Sequence, residues 1–420
     1  MASQRSARRV GFRVPHLLGV GLIAVSLGMG SACSGGSGDD QGGTNASTTE
    51  KESTTTTIDR ADAMLDSTTV FRSGEDGYAT YRIPAVVSAA DGTLIAFAEG
   101  RVTNAADDGN VDLLAKRSTD GGRTWGELQV IADMGSNFIG NPSPVLDKAS
   151  GRLVLLATYK AGTDTEIQIL TGTGEDTSRE YLLTSDDNGT TWSEPSEITE
   201  SVKRPEWRWY SVGPGHAFQI QSGPHAGRLV AAANHSDSEL NYGAHLLLSD
   251  DGGKTWRIGA SDTPRGGPLH PNEATAAALA DGTIVVSARD QEGADEWHRL
   301  QTTSTDGGET FVTPFKDQTG LVTPVVQASM LWFDGVDKKS GQLLFSAPSD
   351  PQDRINLRVR SSLDSGTTWS DGFLVGPGPA AYSDLIELPG QLVGVLFETG
   401  DTGASERIDF ATFGADNLAG

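Results

Sequence analysis

An eight-residue pattern, Ser, any, Asp, any, Gly, any, Thr and then Trp or Phe, occurs five times in this chain. The copies begin at Ser118 (STDGGRTW), Ser185 (SDDNGTTW), Ser249 (SDDGGKTW), Ser304 (STDGGETF) and Ser362 (SLDSGTTW), with starts 67, 64, 55 and 58 residues apart. Recurrence at such a period means one supersecondary unit per copy, stacked on its neighbours. Each copy carries its own turn chemistry. Gly accepts positive φ, the Asp carboxylate can take hydrogen bonds from nearby backbone N–H groups, and the aromatic packs beneath the turn.

Runs that read as strands flank the turns, among them Val111 to Ala115, Tyr181 to Thr184 and Ala244 to Leu248, and long helical periodicity is lacking. A second motif falls between the copies: Asp91-Gly92-Thr93-Leu94-Ile95 and Asp281-Gly282-Thr283-Ile284-Val285, with looser versions at Ser150 to Val154 and Ala226 to Val230. Four strands per period of about 60 residues suit a propeller blade. About six such periods fit between Thr69 and Phe413, so the expected fold is all-β, a six-bladed β-propeller. Five identical turns serve that shared fold and are read as structural, not catalytic.

Of the 420 residues, 32 are Lys or Arg and 56 are Asp or Glu, a net charge of −24 that argues against nucleic acid as a partner. Cys33 is the single cysteine, which excludes an intramolecular disulfide and a zinc cage of thiolates. Arg5, Arg8, Arg9 and Arg13 precede an apolar run from Val14 to Met29, then Gly30, Ser31, Ala32 and Cys33, a pattern that reads as an export signal. It resembles a bacterial lipoprotein signal lipidated at Cys33, with an ordinary cleaved signal or a retained anchor as alternatives. Residues 34–65 are rich in Ser, Thr and Gly and read as a flexible tether. The folded domain is expected over 66–420, in a protein exported to the cell envelope or secreted.

Function in a repeat protein is sought where the repeats differ. Arg82 sits in Tyr81-Arg82-Ile83-Pro84, Arg289 ends the strand-like run from Thr283, and Arg354 closes Pro348 to Arg354, so three arginines fall in three different repeats. With the YRIP segment upstream of the first turn, the five turns resemble the Asp boxes of the bacterial and animal exo-sialidases over residues 70 to 413. That resemblance implies hydrolysis of terminal α-linked sialic acids from glycoproteins, glycolipids or oligosaccharides. It also implies roles for particular residues. Arg82, Arg289 and Arg354 match the three arginines that hold the sialic acid carboxylate, a task suited to a planar fork of donors. Tyr382 matches the nucleophile, Glu273 its base, and Asp107 the acid/base, with Asp108 as its rival. Arg101 matches a contact to the sugar's O4, and Asn141 falls where many relatives carry Asp. Asn234 and the cluster Trp207, Trp209, Tyr210 are candidates for the glycerol and aglycone sides.

A tyrosine nucleophile has a physical reason. The anomeric carbon bears a carboxylate, so a carboxylate nucleophile would approach against like charge, whereas a phenol is neutral until its proton leaves. Two displacements at one carbon imply retained configuration. A trans-sialidase on the same site and a non-catalytic glycan-binding propeller are the competing readings. No cofactor or metal is expected, since no P-loop, dinucleotide fingerprint or HExxH motif appears, and a monomer is favoured.

Overall fold

The computed structural model describes residues 64–291, 298–334 and 341–418. The export segment, Cys33 and nearly all of the expected tether lie outside them. Their strands pair antiparallel into six four-stranded blades. Blade I is Thr80–Ser88, Leu94–Arg101, Val111–Ser118 and Gln129–Ala132. Blade II is Phe138–Asp147, Arg152–Lys160, Arg179–Ser185 and Ser196–Glu197. Blade III is Trp207–Val212, Leu229–Asp237, Tyr242–Ser249 and Arg257–Asp262, and blade IV is Pro271–Ala278, Ile284–Asp290, His298–Ser304 and Lys316–Val322. Ser329–Phe333, Gln342–Pro348 and Ile355–Ser362 begin blade V.

The long strand Phe373–Leu388 then serves two blades. Its first part pairs with Ile355–Ser362 and its second with Leu392–Thr399, so the chain passes from the rim of blade V to the axis of blade VI just before Tyr382. Arg407–Gly414 follows, and the N-terminal strand Met64–Arg72 completes blade VI, with Met64 opposite Phe413 and Arg72 opposite Arg407. The ring is thus closed by hydrogen bonds between the two ends of the folded chain. Met64 belongs to that strand, which therefore includes two residues before the expected boundary at 66.

Every residue of the second strands of blades I and III is buried, because both faces of the sheet meet a neighbouring blade. The core is correspondingly divided into clusters between blades. Phe97 and Leu113 pack with Leu153 and Leu155, Val230 and Leu246 with Ile284 and Val286, and Leu396 and Phe410 with Val86 and Ala96.

The five turns are alike to within a few tenths of an ångström. In the first, Ser118 Oγ donates to Asp120 Oδ1 at 2.8 Å, Gly122 N donates to Ser118 Oγ at 2.9 Å, and Thr124 donates through N (3.0 Å) and Oγ1 (2.6 Å) to Asp120. The fifth repeats the set at Ser362, Asp364, Gly366 and Thr368. Gly122 has φ of 91°, and a Cβ there would run into the ring of Phe410 in blade VI, so Gly lets the turn seat on the preceding blade. Ser118 pairs with Leu94 and Val111 with Arg101, which places the turn seven residues, roughly 23 Å, from the other end of the ladder. Functional side chains gather at that other end.

Hydrogen bonds from Thr124, then Ser118, hold Asp120 down at about 2, and Thr191 does the same for Asp187. Groups lowered in the folded state contribute stability above the unfolded carboxylate range, and that contribution is lost as pH falls toward 2. The melting temperature should therefore be level from about pH 5 to 7 and drop between about pH 4 and 2. A melt at pH 2.5 equal to that at pH 6 would count against this role.

Candidate active site

The first strand of five blades is irregular at the same height. Register shifts fall between Arg82 and Ala85, Gly140 and Ser143, Trp207 and Tyr210, Pro271 and Ala274, and Ala380 and Ser383. Ile83 and Asn141 adopt φ of 60° and 51° there. A bulge re-aims the side chains it carries, and Arg82, Asn141, Trp209, Glu273 and Tyr382, all within these shifts, line one cleft of about 380 Å³. The ends of the second strands add Arg101, Lys160, Asn234 and Arg289, and the loop before Ile355–Ser362 adds Arg354.

Tyr382 lies at the centre. Its hydroxyl donates to Glu273 Oε1 at 2.5 Å, and Arg289 Nη1 donates to Glu273 Oε2 at 2.8 Å while standing 3.4 Å from the phenol oxygen. The guanidinium carbons of Arg82 and Arg354 lie 5.3 and 5.7 Å from the centre of the Tyr382 ring. Arginines from blades I, IV and V therefore surround one phenol. Burial, then the charge of Glu273, pushes the Tyr382 hydroxyl well above the ordinary phenol range, against the pull of Arg289, Arg354 and Arg82.

Two buried glutamates seat two of the cations. Glu398 takes Arg82 Nε at 2.7 Å, Ile83 N at 2.8 Å and Tyr382 N at 3.2 Å, fixing a clamp arginine and the tyrosine backbone with one carboxylate. Glu99 takes Arg101 Nη2 at 2.7 Å and Asn141 N at 3.0 Å. Arg101 Nη1 reaches Asp107 Oδ1 at 2.8 Å. Asp107 is 83% exposed at the mouth of the cleft, with Asp108 beside it in the lining. Partial desolvation pushes the Asp107 carboxyl up, but Arg101, then Arg82, draw it down further, below the usual range.

Asn141 Nδ2 donates to Ser211 Oγ at 2.7 Å, and Trp209 Nε1 donates to Asn234 Oδ1 at 3.2 Å. Of the expected aromatic cluster only Trp209 faces the cleft. Tyr210 is wholly buried, and Trp207 stacks on His235 inside blade III at 3.8 Å between centroids, because pleat alternation and the register shift send these two side chains into the sheet packing. Glu398, Lys160 and Glu166 were not singled out from the sequence. Glu398 had a signal: like Glu99, it is an acid near the end of an apolar second strand, between a Phe and a Gly. Lys160, nearly buried between the rings of Phe138 (4.9 Å) and Trp209 (5.7 Å), offered none.

Fold and turns define a propeller of BNR-type repeats: the family described as BNR repeat-like domain matches residues 92–395. Among sequence relatives, a sialidase of Micromonospora viridifaciens is 32% identical over 343 residues, covering 78% of this chain and 51% of that protein. Sialidase-3 of Rattus norvegicus is 30% identical over 404 residues, covering 82% of this chain and 94% of that protein. The chain belongs to the sialidase family. It spans only about half the length of the Micromonospora relative. Among solved structures, Hadza microbial sialidase Hz136 superposes with a TM-score of 0.74 at 29% identity, over 83% of this chain and 68% of that one.

Proposed function

We propose that this protein is an exo-α-sialidase that hydrolyses terminal α-linked sialic acids of glycoproteins, glycolipids or oligosaccharides by a retaining double displacement. The observation that carries the reading is the Tyr382 phenol bonded to Glu273 at 2.5 Å inside a ring of three arginines. Arg82, Arg289 and Arg354 would take the substrate carboxylate in a chain whose net charge is −24, so the anion site is a local device.

In the first displacement the Tyr382 proton passes to Glu273, the phenol oxygen bonds to the anomeric carbon, and the glycosidic C–O bond breaks as Asp107 protonates the leaving oxygen. In the second, Asp107 takes a proton from water, the water oxygen bonds to the same carbon, and Tyr382 leaves and recovers its proton from Glu273. A phenol held above its ordinary range makes Glu273 indispensable, since free phenolate is scarce at neutral pH.

Asp107 must be protonated for the first step, yet it is held low in the free protein by Arg101 and Arg82. A substrate carboxylate on Arg82 offsets that charge and the leaving group excludes water, both of which raise the acid. We expect kcat, which reports the groups of the substrate-bound state, to be largest below neutral pH and to fall as pH rises and Asp107 loses its proton. A profile flat up to pH 8 would remove Asp107 from this role.

The deciding experiment incubates the purified protein with an aryl α-sialoside and follows the sugar by NMR. The α-anomer of free sialic acid should appear first. No release, or β-anomer first, overturns the reading, and sialyl transfer to added lactose would favour the transferase alternative. We further infer that residues 1–33 direct export with Cys33 as the lipid attachment point, tested by labelling wild type and Cys33→Ala with a radioactive fatty acid.

A further inference from the structure

Arg299 stands directly across the ladder from Arg289 and is 1% exposed. It donates to the Val326 carbonyl at 2.7 Å, to Ser287 Oγ at 3.1 Å and to the Ser287 carbonyl at 3.4 Å, and its guanidinium lies 5.8 Å from the centre of the Phe345 ring. All three acceptors are neutral, and no carboxylate pairs with it among the described residues. A buried ion lacking a counter-ion is among the costliest groups a fold can hold. Burial, partly offset by Glu273, pulls it down to about 9, so it keeps its proton at neutral pH.

What Arg299 holds bears on the reaction centre. Val326 packs on Tyr382 together with Ile83 and Ala381. The preceding carbonyl, Val325, accepts from Arg354 Nη2 at 2.9 Å. The following residue, Gln327, binds both backbone groups of Ser383, accepting from its N–H and donating to its carbonyl, each at 3.1 Å. Residues 325–327 are therefore the bed behind Tyr382, joined to a clamp arginine at one end and to the backbone of Ser383, the residue after the tyrosine, at the other. Arg299 pins the middle.

Resting on the sialidase reading above, we propose that Arg299 is a positioning residue for the Tyr382–Glu273 pair, a fixed positive charge beyond the substrate's reach. The charged groups around that pair are Arg82, Arg289 and Arg354, with Glu398 beneath Arg82 and the Tyr382 backbone, Glu166 from the short helix Glu166–Thr171, and Arg299 behind. Glu398 offsets Arg82, Glu273 offsets Arg289, and a bound substrate carboxylate would offset Arg354. Arg299 is then a positive charge with no paired carboxylate, and it favours the single negative charge that the Tyr382–Glu273 pair carries while the phenol proton moves.

The test measures kcat, KM and the pH dependence of kcat for wild type, Arg299→Met, Arg299→Gln and Arg299→Lys, with thermal melts to verify folding. Gln keeps a donor for Val326 without the charge, and Lys keeps the charge without the fork. Both uncharged variants should lose about 10- to 100-fold in kcat with KM changed less than about threefold, and the acidic limb of kcat should move up by about one pH unit. Arg299→Lys should leave that limb where wild type has it. An unmoved limb in a folded uncharged variant overturns the proposal, as does a KM that rises in step with the loss of kcat. Failure of both uncharged variants to fold would assign the charge to stability and overturn it as well. Absence of turnover in folded wild type is a separate result, which refutes the sialidase reading itself.

Discussion

Replacing Tyr382 with Phe should lower kcat by at least about 10³-fold, roughly 4 kcal/mol of transition-state stabilisation, while sialic acid still binds. The change removes the attacking oxygen and the hydrogen bond to Glu273 but leaves the ring against which Arg82 and Arg354 lie. Residual turnover would come from direct attack by water, a single displacement, and should give the β-anomer first. Near-wild-type rate with retained configuration would dismiss Tyr382 as nucleophile. Its nearest rivals are poorly placed, since Tyr210 is fully buried in blade III and Tyr242 is buried on a third strand. Arg354→Ala makes the contrast: KM should rise along with the loss of rate, because the carboxylate contact exists before bond cleavage and during it.

Replacing Glu398 with Ala should be the most destabilising change in the site. Its buried carboxylate takes the Arg82 guanidinium and the buried backbone N–H groups of Ile83 and Tyr382. Removal strands a largely desolvated cation and two backbone donors, a cost of about 3–5 kcal/mol. The melting temperature should fall by roughly 5–10 °C, and kcat/KM should collapse with the clamp. Glu398→Gln keeps an acceptor and should cost less on both counts. A thermal melt of Glu398→Ala within 2 °C of wild type would show that the network is not what holds Arg82 and Tyr382 in place.

The repeat made the architecture legible, because each Ser-x-Asp-x-Gly-x-Thr turn can be satisfied locally and its spacing sets the length of a blade. Arg82, Arg289 and Arg354 were legible as charged residues where the repeats differ, and Glu273 and Tyr382 only through the resemblance to the exo-sialidases. Their convergence was not. It depends on five register shifts at one height, and only prolines, Pro84, Pro142 and Pro271, hint at three of them. Trp207 and Tyr210 were misplaced because one extra residue in the strand exchanges the faces on which neighbouring side chains emerge. Arg299 was invisible: its importance lies in the acid it lacks, and sequence alone gives no partners.

The strand that closes the ring also sets the face on which the chain enters it. Met64 pairs with Phe413, at the end of blade VI where the third strand finishes, and Arg72 pairs with Arg407, at the end where Thr399 and the reaction centre lie. The chain thus enters the folded ring from the underside, the level of the Ser–Asp turns. An attachment made through the N-terminus would therefore meet the ring on the face opposite the cleft that holds Tyr382. Such a path keeps the incoming chain clear of the mouth, so a bulky, branched glycan arriving from solution would not meet it.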